Sequence, residues 1–594
     1  MERGMRSWRA FACLMVIVAT GCSSAPEQGD NTQSATSMSC VPGIALVCTC
    51  ADGVTQGVQV CDVGGRMLGG CDCGTGSAGI GNAGAGTAGV AGTGVPVGGA
   101  SGVGASGVGA SGVGGMVPSG GAPAGGMTGG SAAGTTGGAG TGAPAGALAS
   151  DVRIKEIALY QAVKVPLSAS GEPVIARNAP VIIGKEGLLR VFVEPLSGFS
   201  SRMIEVELTL ESAEGPAAPQ TAMKMVSSAS SDAELESTIN FDIPGDQVTS
   251  DLKYSVALRD PAQGSGTVDP AARFPMAEGE LIEMGARDAG PLRVMLIPYR
   301  YQGDGSGRLP AMENAQLELF QRYMHSFYPA SQIEITMHEP VDYDAQVGPN
   351  TGWEQWLDFH CNLRTEEDPD PKLLYYGLMS PRDSLNAYGG GIAGISPVPS
   401  ASSNYGRCSV GLGFEGNVAS STMAHELGHS LGLPHAPCGV DGGPFPYDDA
   451  FIGSWGYSLG AKELRDPTEY HDMMSYCDPA FISDYNFEKL FERIRYLNLQ
   501  FDVLPASPVR YTRVLLDKTG VLSVRGQVTT KYVPGGDDDA RVVTLRDAKG
   551  RALSSGKAFW LPFSEGGTGL WLVPQAANGT ARSVRLGNTT VVLP

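Results

Sequence analysis

Basic residues are in short supply: 41 Lys and Arg stand against 61 Asp and Glu, a formal net charge of −20 over 594 residues. That balance argues against a nucleic-acid partner, which would require a basic face. After the first twenty residues no segment is apolar enough to cross a membrane. Between Gly74 and Ser150 there is no Asp, Glu, Lys or Arg, and ASGVG occurs three times from Ala100 to Gly114. A Gly/Ala/Ser/Thr/Val tract of this kind cannot bury enough apolar surface to offset its ordering entropy. Residues 74–150 are therefore expected to be a disordered tether with a reach on the order of 50 Å. Histidine is scarce as well, seven in the whole chain, so any cluster of histidines is informative.

The start of the chain reads as an export signal over residues 1–21. Arg3, Arg6 and Arg9 precede an apolar run, Ala10–Ala19, too short for a mature transmembrane helix. Ala19-Thr20-Gly21-Cys22 resembles the lipobox of bacterial lipoproteins, which makes Cys22 a lipidation site and the membrane a partner through an N-terminal anchor. Cleavage by ordinary signal peptidase would instead secrete the protein; either route exports it to the cell surface, the outer membrane or the medium. Ten further cysteines fall into two even groups: 40, 48, 50, 61, 71 and 73, then 361, 408, 438 and 477. Even numbers in an exported chain read as disulfides. Zinc ribbons at Cys48-x-Cys50 and Cys71-x-Cys73 are the other reading, with gaps shorter than usual ligand spacing.

Hydrophobic patterning divides the remainder. Residues 22–73 form a small Cys-rich module. Over residues 151–288, LLRVFVE, IEVELTL and STINFDI alternate apolar and polar positions between Gly/Pro/Ser turns, predicting a β-sandwich-like domain. Residues 289–505 mix types: LRVMLIPYRY, IEITM and Lys372–Leu378 read as strands. Leu317, Phe320, Met324 and Phe327 recur at helical spacing, Thr351-Gly-Trp-Glu354 looks like a capping box, and Phe487–Leu497 carries an apolar stripe. That is an α/β (α+β) body. Residues 506–594 return to short β patterns; Asp537-Asp538-Asp539 there reads as a solvated acidic turn, with calcium the other option.

The chemistry concentrates in HELGHSLGLPH, residues 425–435. His425 and His429 lie about 40° apart around a helix and project from one face. Glu426 stands beside a metal held there without pointing at it. Gly432 can take positive φ, end the helix and reverse the chain; Pro434 prevents its resumption, so His435 can return as a third imidazole. Three neutral histidines leave a fourth corner for water, the pattern of one catalytic Zn²⁺.

This stretch resembles the zinc signature of the metzincin metallopeptidases, including the glycine at Gly428. The resemblance covers roughly residues 290–500 and implies a metzincin-like catalytic domain with a methionine-bearing turn downstream. In DMMSYC, residues 472–477, Met474 matches the turn methionine and Tyr476 a tyrosine that steadies the oxyanion; Met473 is the alternative register, and a core tyrosine the plainer role for Tyr476. Gly389–Ser396 lies where the family carries an edge strand that pairs with an extended substrate; a Gly-rich loop with no binding role is the equal alternative. ALYQAVKVPL and RNAPVIIGKEGLLRVFV show a weaker similarity to secreted metzincins that cleave mucin-type glycoproteins. On the same footing, Cys438 and Cys477 are expected to be bonded, tying the third-ligand loop to the methionine turn, with Cys361–Cys408 as the second bridge. His471 reads as a loop histidine, and His325, His338 and His360 share no ligand spacing.

The implied activity is a monomeric zinc endopeptidase acting on extracellular proteins or glycoproteins, with Glu426 as general base on a zinc-activated water. The alternative is a surface adhesin or scaffold with an inert zinc domain.

Overall fold

The computed structural model describes residues 45–49, 56–61, 67–72, 147–262, 266–499, 507–536, 539–576 and 580–593. The export signal, Cys22, Cys40, Cys50, Cys73, nearly all of the charge-free tract, Asp537 and Asp538 lie outside them. Strands Ala45–Thr49, Gln56–Cys61 and Met67–Asp72 form a three-stranded antiparallel sheet. The described chain is mostly strand, with five α-helices among the described residues. None of these is long and apolar enough to cross a membrane.

Period-2 alternation builds two antiparallel sheets from residues 152–283. One runs through Ile239–Ile243, Gly187–Pro195, Val152–Tyr160 and Lys164–Ala169; the other centres on Arg202–Ser212, flanked by Gln220–Val226 and Lys253–Arg259. Val191 and Ile154 from the first share a core with Val206 and Val256 from the second.

The central sheet orders its strands Ile333–Met337, Leu292–Tyr301, Leu373–Met379, Cys408–Leu412 and Gly394–Ile395. All neighbours are parallel except the last, which runs antiparallel at the edge. Cys408–Leu412 is buried at every position, as a parallel strand covered on both faces must be. Leu374, Tyr376 and Leu378 enter the core containing helices α1 (Asn314–Phe327), α4 (Asn417–Ser430) and α5 (Asp484–Leu499). Tyr375 and Met379 point the other way, toward α2 (Trp353–Glu367). The short helix α3 (Leu385–Tyr388) precedes the edge strand. The Cys361–Cys408 disulfide fastens α2 to the sheet.

Two local expectations need correction. No capping box opens α2: Gly352 is the N-cap at φ 84°, with no side-chain cap, and a β-carbon there would stand 2.2 Å from the Gln346 carbonyl oxygen. The close approach of the Gln346 carbonyl suits glycine at this position. The edge strand is also shorter than Gly389–Ser396, because Gly389, Gly390 and Gly391 all take positive φ and turn the chain, leaving Gly394–Ile395 extended.

A seven-stranded antiparallel sheet from Val509 to Val592 shares its core with α2 through Tyr511, Leu515, Leu561, Phe563 and Leu572. Its polar clamp is Asp358 on α2, which accepts from Arg513 Nη1 at 2.7 Å and Arg525 Nε at 3.2 Å. Burial pushes the Asp358 carboxyl pKa up, and the two guanidiniums only partly counter it. Such a network contributes little net energy intact but is costly to break from one side. Asp358→Ala is expected to lower unfolding free energy by about 3–5 kcal/mol in urea titrations, since it strands a buried Arg513.

Candidate metal centre and active site

Helix α4 ends in a hydrogen-bond pattern that follows from Gly432. Gly432 N–H donates to the His429 carbonyl at 2.7 Å and Leu433 N–H to the Gly428 carbonyl at 3.0 Å, the two bonds of a Schellman cap, with Gly432 at φ 90°. A β-carbon on Gly432 would stand 2.7 Å from the Pro399 oxygen. Gly432→Ala is therefore expected to cost about 1–3 kcal/mol, measured by thermal or urea unfolding, and to weaken metal retention with it.

The cap also aims a ligand. His429 Nδ1–H donates to the Leu433 carbonyl at 2.7 Å, and His425 Nδ1–H to the Met473 carbonyl at 2.7 Å. These bonds place each ring proton on Nδ1 and leave both Nε2 atoms as bare acceptors. The two Nε2 atoms face each other at 3.0 Å. His435 closes the group, its ring 4.6 Å from that of His429 and 5.3 Å from that of His425, with a buried Nε2 that has no partner. Burial draws His425 and His435 down to about 4 and His429 further still, so all three rings are neutral near pH 7. Facing lone pairs repel unless a cation lies between them. The 3.0 Å gap is near the roughly 3.3 Å that two imidazoles span on a tetrahedral ion. The three residues fit a divalent metal.

The loop behind His435 is held to the segment after Asp472. Ala436 N–H donates to the Met474 carbonyl at 2.9 Å, Tyr476 N–H to the Cys438 carbonyl at 2.9 Å, and Cys438 is bonded to Cys477. These sulfurs lie close to His471, but disulfide sulfurs offer no thiolate, and His471 stacks on Phe451 instead. Met474 is fully buried beneath α4; its Sδ would be 2.6 Å from a β-carbon on Gly428, so glycine is what admits it. Met473 contributes its carbonyl. The turn rests on buried Asp472, which accepts from Met474 N–H (2.8 Å), Ser483 N–H (2.9 Å) and Asn486 Nδ2 (2.8 Å).

Glu426 is 5% exposed, its Oε2 has no partner, and burial raises its pKa well above the usual carboxylate range. The half-exposed Tyr476 ring stands 5.0 Å from His435 and 5.8 Å from His425, and its hydroxyl donates to Glu565 Oε1 at 3.1 Å. Ser409 Oγ, bridged to Ser396 and Ser430, donates to the Glu426 carbonyl and ties the edge strand to α4. The structure brings together the three histidines, Glu426, Met474 and Tyr476 that the sequence singled out. Sequence reading missed Asp472, the Met473 and Leu433 carbonyls, and Glu565. His360, Nδ1 to the Tyr299 hydroxyl at 2.9 Å, is buried behind the sheet, away from this group.

Residues 398–486 match the family described as Peptidase M66, and residues 346–436 match Metallo-peptidase family M12B Reprolysin-like. Their overlap carries all three histidines and Glu426. These matches support a metzincin-type metallopeptidase in this part of the chain. Among solved structures, metalloproteinase-II from Bacteroides fragilis is similar at 14% identity over 47% of this chain and 79% of its own, with a TM-score of 0.19. A β-glucuronidase from Parabacteroides merdae aligns at 13% identity over 38% of this chain and 30% of its own, with a TM-score of 0.13. At such scores neither likeness carries an argument. No curated protein matches the chain. The metallopeptidase families imply a metal and a protein substrate, and the histidine group is one that could hold such an ion.

Proposed function

We propose that the protein is an exported zinc-dependent peptidase of extracellular proteins or glycoproteins, working as a single chain anchored by a lipid on Cys22. In this reading residues 289–505 are the catalytic body, 151–288 and 506–594 are flanking β domains, and 74–150 are the tether. The observation that carries it is the pair of proton-free Nε2 atoms at 3.0 Å beside a buried carboxylate with an unpartnered oxygen.

Zinc held by His425, His429 and His435 would supply a Lewis acid and a water nucleophilic near neutral pH. Glu426 takes the proton of the attacking water and passes it to the departing amine nitrogen. The Tyr476 hydroxyl, once it leaves Glu565, donates to the substrate carbonyl oxygen as charge gathers there. The Cys438–Cys477 bond and Asp472 hold Tyr476 and His435 in register for these tasks.

Digestion of casein and of a mucin by the full-length, zinc-loaded protein tests the reading. Fragments from either substrate support it. Intact substrates with metal bound favour the adhesin or scaffold instead.

A further inference from the structure

The edge strand is open for only part of its length. Gly394–Ile395 pairs on one side with Cys408–Leu412. Directly after it, the opposite side of Ser396–Val398 is taken by the carboxy-terminal sheet. Ser564 N–H donates to the Ser396 carbonyl at 2.8 Å, Val398 N–H to the Pro562 carbonyl at 2.8 Å, and Ser396 N–H to Ser564 Oγ at 3.2 Å. Pro397 and Phe563 are bridged antiparallel. Ala393 O bonds inward to Leu412, so strand alternation turns Gly394 outward, on the same side as Ser396. By that alternation Gly394 is the next position whose backbone groups face away from Cys408–Leu412; it is buried against the catalytic carboxylate, where a β-carbon would lie 2.6 Å from Glu426 Cγ and Oε1.

The hairpin tip is a fixed part of the cleft. Phe563 and Leu561 are buried in one core with Ile395 and Tyr405. Phe563 N–H to the Thr568 carbonyl (3.1 Å) and Thr568 Oγ1 to the Glu565 carbonyl (2.7 Å) close the tip, and the Asp358 network clamps the sheet behind it. A substrate strand adding antiparallel at Gly394 runs in the same direction as 562→564. Its amino-terminal end therefore meets the tip, about one residue from Glu426. At that closed end lies the Glu565 carboxylate, joined to the Tyr476 hydroxyl. Glu426 and Glu354 add negative potential there, and Lys518 is the opposing cation. Once Tyr476 turns to the substrate carbonyl, Glu565 faces the incoming chain without a partner.

We propose that Glu565 is a specificity residue, and that it takes a cationic group at the amino-terminal side of the scissile bond while the hairpin bars further chain on that side. The cation is an ammonium or guanidinium: the α-amino group of a substrate cut close to its terminus, or a Lys or Arg side chain next to the bond. This rests on the peptidase reading above.

The test uses full-length zinc-loaded protein and a peptide set in which the amino terminus is free or acetylated, and Lys is kept or replaced by norleucine. Products are mapped by mass spectrometry and kcat/KM is measured for each pair. Wild type is expected to prefer the cationic member, acetylation telling whether the α-amino group is the source and norleucine whether the side chain is. In Glu565→Gln the cationic-over-neutral ratio should fall about 10–100-fold, mainly through KM. Equal wild-type rates on charged and neutral members, with cleavage present, overturn the proposal alone. So does an unchanged ratio in Glu565→Gln when both rates fall together, which would make Glu565 a positioning residue for Tyr476. No cleavage of any peptide, with metal bound, overturns the peptidase reading and the proposal with it.

Discussion

Glu426→Gln is expected to lower peptide hydrolysis by about 10²–10⁴-fold while leaving the protein folded and its metal bound. The amide keeps the shape of the side chain, so the packing of α4 against Gly394 survives. What is lost is a base able to accept a proton from water. The side chain is buried and the amide keeps its size, so the melting temperature should hold. Steady-state kinetics, elemental analysis and a thermal melt on the same preparation separate the three quantities. A variant that loses metal together with activity would make Glu426 structural.

The second large effect concerns the metal. Chelation should abolish hydrolysis completely, and added zinc should restore it. It should also destabilise the fold, because two Nε2 lone pairs 3.0 Å apart, and a third buried and unpartnered, repel one another when nothing lies between them. An ion that binds only the folded state adds about 2.7 kcal/mol at a free concentration 100-fold above its Kd and about 4.1 kcal/mol at 1,000-fold. A zinc titration of the thermal midpoint measures this directly. His435→Ala should flatten the titration, since removing one imidazole leaves two and no closed site. Activity that persists in excess chelator would contradict the assignment.

Much of this centre could be read from the sequence because its signals are local. The four-residue gap between His425 and His429 fixes their shared face. Gly432 forms the helix stop that positive φ allows, and its cap carries the Leu433 carbonyl onto His429. Met474 and Tyr476 were singled out through resemblance to the family's methionine turn, and the pairing of Cys438 with Cys477, which the structure contains, rested on the same resemblance. Glu565 was not recognisable. It lies 139 residues beyond Glu426, in a hairpin whose own strands say nothing of an edge strand elsewhere, and only the core around Phe563 brings it to Tyr476. Asp472 was passed over for another reason: an acidic residue in a turn looks solvated until the backbone amides it accepts from are known. The start of α2 differed because Gly352, at positive φ and close to the Gln346 carbonyl, takes the N-cap position and leaves Thr351 outside the helix.

The central claim is that three imidazoles hold one ion. Metal content of the full-length protein after zinc loading and gel filtration tests it most directly, alongside the folded His429→Ala and His435→Ala variants. The account predicts about one tightly held zinc per wild-type chain and loss of it in both variants. A folded wild-type chain that emerges metal-free, or variants that retain the full complement, would contradict it.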